Sequence, residues 1–138
     1  MIVLVDTPVW SFAYRRARRS AREQQTVDEW SELVRREHVA LIGPVRQEVL
    51  SGITRTKQFE SVRGDLRGFE DLLLETSDYE RAAEFHNLCR RKGVQGSPTD
   101  FLICAVSLRF NAPVFTTDRD FKLYAQQIGV RLHAMPTA

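Results

Sequence analysis

Short, mostly apolar runs, most of them followed by a residue that starts a helix, limit this chain's fold more than any other feature. Residues 2–5 read Ile-Val-Leu-Val and stop at Asp6, with Pro8 placed for the first turn of a helix. Similar runs lie at 39–42, 72–74, 113–116 and 130–132. A strand apolar on successive residues, not alternate ones, is buried on both faces, as in parallel sheets. The segments between the runs read as helices. Residues 26–37 carry Val27, Trp30, Leu33 and Val34 on one stripe, and Gly43-Pro44 opens a segment bearing Val45, Val49 and Ile53. Residues 56–69 and 77–92 follow; Ser77 and Glu80 have capping-box spacing. Ser97-Pro98-Thr99-Asp100 starts a helix with Phe101, Leu102, Ala105 and Leu108, and residues 117–128 form a last helix stopped by Gly129. Alternation of this kind predicts an α/β/α sandwich around a mostly parallel, roughly five-stranded sheet.

The chain has 138 residues, the length of one domain spanning 1–138, and 43% hydrophobic residues. The first apolar run is too short for a signal peptide, and the longest later one, 101–106, is too short for a membrane span. Cys89 and Cys104 form no CxxC pair and read as small buried side chains in a reducing compartment. The expected location is the cytoplasm, with no membrane association. His38, His86 and His133 are scattered and lie in no HExxH pattern, and neither GxSxG nor GxxxxGK[ST] occurs.

Of 18 acidic residues, most fall on helix faces suited to solvent, but four lie at or just beyond entries into helices. Asp6 follows the first strand, Glu48 is early in the helix after the second, Asp100 opens the Ser97 helix and Asp118 follows the strand at 113–116. Each has an ordinary structural reading: N-cap for Asp6, capping box for Asp100, cap for Asp118, exposed helix position for Glu48. Taken together they point elsewhere. The carboxyl ends of parallel strands line one crevice. Carboxylates converging there repel one another, and hard cations such as Mg²⁺ or Mn²⁺ relieve the conflict.

VDTPVW at the start, VRQEVLSG around residue 48, SPTDFLICAVS around 100 and FTTDRDF around 118 resemble the PIN-domain ribonucleases, and among them the VapC-type toxins of prokaryotic toxin–antitoxin pairs. The resemblance runs in order over essentially the whole chain. It implies that Asp6, Glu48, Asp100 and Asp118 are the acidic metal cluster, with Asp6 and Asp100 as the most direct contacts. Thr116 would orient the cluster through its hydroxyl, and Asp120 would support or substitute for Asp118. Pro8 departs from the Ser or Asn usual there, which removes one hydrogen bond near the metal. The implied activity is Mg²⁺- or Mn²⁺-dependent endonucleolytic cleavage of RNA, leaving a 5′-phosphate and a 3′-hydroxyl. The implied partners are a cognate antitoxin and a second copy in a homodimer.

The net charge of +2 hides a basic run from Tyr14 to Arg22 containing Arg15, Arg16, Arg18, Arg19 and Arg22. Guanidinium groups suit phosphates, so these five are candidates for contact with RNA. A solvated loop, a dimer face and a dock for an acidic antitoxin tail are the other readings. Two rival functions share the sheet type. A haloacid-dehalogenase-like phosphatase needs DxD after the first strand, where this chain has Asp6-Thr7-Pro8. A phosphoreceiver needs a lysine after a late strand, and Lys57, Lys92 and Lys122 follow none. A PIN-like module that binds RNA or a partner without cutting, and a housekeeping PIN nuclease without an antitoxin, are the alternatives within the family.

Overall fold

The computed structural model describes residues 1–15 and 18–136. Arg16, one of the five arginines of the basic run, lies outside them. In chain order the elements are β1 (Val3–Val5), α1 (Thr7–Tyr14), α2 (Ala21–Arg35), β2 (Val39–Ala40), α3 (Gly43–Ser51), α4 (Thr56–Leu66), α5 (Thr76–Arg91), α6 (Pro98–Phe110), β3 (Val114–Phe115) and α7 (Asp120–Ile128). β1 is central. It pairs in parallel with β2 through Val3–Val39 and Leu4–Ala40, and with β3 through Leu4–Val114 and Val5–Phe115. Single parallel bridges, Leu41–Asp71 and Val114–Leu132, carry the sheet one segment further on each side. Four of the five segments fall on apolar runs of the sequence; the bridge beside β2 falls at Asp71, just ahead of the run at 72–74. The two outermost contribute one bridge each instead of a ladder.

Val3, Leu4 and Val5 are all fully buried. Their side chains point alternately to opposite faces, so helices must cover both faces of the sheet. α1 packs on α2 and α3, α3 on α4, and α5 on α6 and α7. α6 is buried on every side from Phe101 to Ser107, so its N-terminal turn is fixed in place by the core. Trp10 anchors α1: it is fully buried, and its indole N–H donates to the Val5 carbonyl at 3.1 Å. Trp10 also meets Trp30 and Phe69 edge-on. Truncating it to alanine would cost about 3–5 kcal/mol.

Helix boundaries follow local chemistry. α2 begins at Ala21, five residues before the apolar stripe suggests, because Ser20 and Glu23 cap each other reciprocally. α5 begins at Thr76 through Asp78, which accepts from the Glu75 N–H at 2.8 Å, and not through the expected Ser77–Glu80 pair. α7 begins at Asp120, three residues later than expected, since residues 117–119 form the turn that presents Asp118. It ends at Gly129, whose φ of 86° a side chain would strain.

Candidate active site

The segment order across the sheet is 71, β2, β1, β3, 132, so the chain runs outward in one direction from β1 and then in the other from β3. The reversal falls between β1 and β3, where a crevice opens at the strands' carboxyl ends. Asp6 leaves β1 at this point and Thr116 leaves β3 beside it. The Thr116 hydroxyl donates to Asp6 Oδ2 at 2.7 Å. Asp6 Oδ1 accepts the Thr7 N–H at 2.8 Å and so caps α1. The expected capping role is realised on Oδ1, while Oδ2 takes the Thr116 hydroxyl.

Asp100 enters from the N-terminus of α6, where it closes a capping box with Ser97; its N–H donates to Ser97 Oγ at 3.1 Å. Its Oδ2 accepts from the Tyr124 hydroxyl at 2.8 Å. Asp118 accepts the Asp120 N–H on Oδ1 at 2.9 Å, while its own N–H donates to Thr116 Oγ1 at 3.0 Å. Thr116 thus ties Asp118's backbone to Asp6's carboxylate. Glu48 is exposed on α3 and reaches the crevice through Thr7, whose hydroxyl donates to Glu48 Oε1 at 2.7 Å. Asp120 is exposed in the first turn of α7. Pro8 occupies the first turn of α1, where it has no N–H to offer.

Asp6 is only 3% exposed. Burial pushes its carboxyl up to about 6 against the pull of the Thr116 and Thr7 hydrogen bonds, and the charges of Asp100 and Asp118 push it further. Asp100 is also raised, by burial first and then by Asp118. Among the described residues, none of these four acids has an ion-pair partner. A buried carboxylate crowded by like charges and lacking a cation fits a hard divalent ion, and every side-chain donor here is an oxygen. Among the described residues, no three acidic, histidine or cysteine side chains stand close enough to grip one ion in this arrangement.

A cavity of about 900 Å³ opens beside Thr116 and Asp118, with Arg22, Arg119 and Lys122 among its lining residues. The basic run is divided by its contacts. Arg15 pairs with Glu23 at 2.5 Å and lies over the Phe12 ring. Arg19 donates to the Phe12 and Ala13 carbonyls, closing the end of α1. Arg18 is exposed. Three further contributors went unnoticed in the sequence. Thr7 and Tyr124 each hold a site carboxylate, and Gly96 makes room for Tyr124. Thr7 lies inside VDTPVW without standing out as a carboxylate partner, no motif marks Gly96, and Tyr124 reads as one more apolar position on α7.

A model of the PIN domain family matches residues 3–127. The chain belongs to the PIN domain family. Solved structures share this PIN fold over nearly the whole chain. The structure of FitAcB from Neisseria gonorrhoeae superposes with a TM-score of 0.75 at 19% identity, covering 96% of this chain and 97% of that one. VapBC2 from Rickettsia felis, bound to a DNA fragment from its promoter, gives 0.75 at 18%, covering 96% and 98%. FitAB bound to an IR36 DNA fragment gives 0.75 at 18%, covering 96% and 94%. No curated protein matches the chain. Among the described residues of this PIN domain, no helix is long and apolar enough to cross a membrane.

Proposed function

We propose that this PIN domain is a Mg²⁺- or Mn²⁺-dependent endoribonuclease acting in the cytoplasm as the toxin of a type II toxin–antitoxin pair. One observation carries the nuclease reading: buried Asp6, raised by burial and by Asp100 and Asp118, stands at the sheet's switch point without a cation. PIN domains are in general nucleases, which supports the reaction class. The shared fold with VapBC2, bound in that structure to DNA from its promoter, supports the toxin role.

In this reading Asp6 and Asp100 hold the ion most directly, and Glu48 and Asp118 complete its surroundings. A bound divalent ion supplies charge neutralisation at a phosphate and a water acidified toward neutral pH. Thr116 keeps Asp6 oriented through its hydroxyl and fixes the turn bearing Asp118. A carboxylate with an oxygen to spare, Glu48 or Asp118, accepts the proton of the attacking water. Asp120 supports Asp118, whose Oδ1 accepts the Asp120 N–H. Arg22, Arg119 and Lys122 line the neighbouring cavity and offer charge to the RNA backbone. Arg15, Arg18 and Arg19 flank it in sequence, and Arg15 and Arg19 also hold the loop in place. A cognate antitoxin and a second copy of the chain are the partners this reading expects.

The test is cleavage of structured RNA with mapped ends. Cleavage should need Mg²⁺ or Mn²⁺, stop in EDTA, and fall at least about a hundredfold in Asp6→Asn and in Asp100→Asn. Equal cleavage in EDTA and in both variants would overturn the proposal. For the toxin role, expression should arrest growth and co-expression of a small upstream-encoded protein should relieve it. Growth unaffected by expression contradicts that part alone.

A further inference from the structure

Tyr124 is fully buried on α7, between Phe101 and Phe121 at ring centroid distances of 5.0 Å. Packing alone would be served equally well by phenylalanine. The hydroxyl is what differs, and its position is specific. It lies 2.8 Å from Asp100 Oδ2 and 3.2 Å from the Gln95 carbonyl. A phenol has one proton, and a carboxylate at the shorter distance is the stronger acceptor.

Room for this contact depends on residue 96. A β-carbon on Gly96 would stand 2.4 Å from the Tyr124 hydroxyl and 2.8 Å from the Phe101 ring. Neither ring can retreat easily, since both are fully buried. The loop before α6 therefore carries a glycine where it crosses the phenol. On the carboxylate, Oδ2 takes the phenol and a longer 3.4 Å contact from the Ser97 N–H. Oδ1 receives no hydrogen bond from a described residue. One oxygen is pinned and the other is left available.

We propose that Tyr124, seated by the missing side chain of Gly96, is a positioning residue that fixes the Asp100 carboxylate for metal binding. The assignment rests on the metal-site reading of Asp100. A neutral phenol suits the task better than an arginine, which would orient the carboxylate but also cancel the charge the ion needs. Tyr124 resembles in this respect the Thr116 hydroxyl on Asp6: each carboxylate is held by one uncharged hydroxyl from a different element.

The test is calorimetric titration of Mn²⁺ into the full-length protein, with melting in EDTA as the control for folding. Tyr124→Phe keeps the ring and should melt near the parent. Its Mn²⁺ affinity should fall about tenfold to a hundredfold. Gly96→Ala, which displaces the hydroxyl while leaving it in the chain, should weaken Mn²⁺ in the same way, and adding it to Tyr124→Phe should cost little more. Asp100→Asn separates the two claims. If it loses Mn²⁺ while Tyr124→Phe binds within twofold of the parent, the role of Tyr124 is overturned and the metal site stands. If the parent itself takes up no Mn²⁺, both fall. Unfolding of Tyr124→Phe in EDTA would place the hydroxyl's value in the core and equally overturn the assignment.

Discussion

Asp6 and Asp78 are two aspartates almost equally closed to solvent, 3% and 2% exposed, with opposite electrostatic settings. Asp78, at the start of α5, receives Arg109 from α6 through two hydrogen bonds, at 2.9 Å to Oδ1 and 2.8 Å to Oδ2. Burial pushes its carboxyl up. The Arg109 hydrogen bonds, the Glu75 N–H and the charges of Arg109 and Arg81 outweigh that and hold it below the usual range. Among the described residues Asp6 receives a hydroxyl and an N–H but no cationic side chain, and is pushed up to about 6. Solvent exposure is nearly the same, but Asp6 lies deeper in the protein, so both its stronger desolvation and its different partners separate it from Asp78. A complete ion pair ties two helices together, whereas on the proposed reading the unpaired carboxylate at the sheet's switch point is the one a divalent ion would meet.

The largest effect should come from breaking the complete pair. Arg109→Met leaves Asp78 without its guanidinium partner, which should lower stability in urea unfolding at neutral pH while leaving Mn²⁺ uptake unchanged. An unchanged stability would make the contrast with Asp6 one of appearance only. Next is the pH dependence. The folded protein holds the Asp6 proton more tightly than the unfolded chain, so this group's contribution to stability is greatest below pH 3.8. It declines as pH rises through about 6. Each pH unit between those two values is worth about 1.4 kcal/mol. In EDTA, parent stability minus that of Asp6→Asn should therefore fall by about 3 kcal/mol from pH 3.8 to pH 7. Asp78 has the opposite sign: its stabilisation is present above pH 3.8 and lost as pH falls below it. A flat difference for Asp6→Asn breaks the comparison.

The smallest effect concerns the cations. Arg15 is engaged with Glu23 much as Arg109 is with Asp78, whereas Arg22, Arg119 and Lys122 line the cavity without an ion pair among the described residues. Replacing those three with glutamine should flatten the log–log salt dependence of single-stranded RNA binding by about 2, at roughly 0.7 per phosphate contact. An unchanged slope moves RNA away from this cavity.

The sheet and the helices between its segments were legible because parallel strands need mostly apolar runs, and residues 2–5, 39–42 and 113–116 supply them. Asp6 and Asp100 could be singled out because each also starts a helix, and Asp118 because it follows β3; the cap expected of Asp118 is not formed, since Arg119 occupies the N-cap position of α7. The capping roles of Asp6 and Asp100 did not compete with the site, since a carboxylate has two oxygens. The hydroxyls were harder to see. Tyr124 lies 24 positions from Asp100, and its ring satisfies the α7 apolar stripe by itself. Gly96 acts through an absent side chain, which only a three-dimensional neighbour reveals. The start of α5 was misplaced because an Asp78 that later pairs with Arg109 also provides the cap.

The central claim is that Asp6 lacks a cation because a divalent ion is its partner. The most direct measurement is the unfolding free energy of the parent and of Asp6→Asn at pH 7, in EDTA and in Mn²⁺ at a hundred times its dissociation constant for the parent. The account predicts a gain of about 2.7 kcal/mol for the parent and almost none for Asp6→Asn. Equal gains in both proteins, or none in the parent, would contradict it.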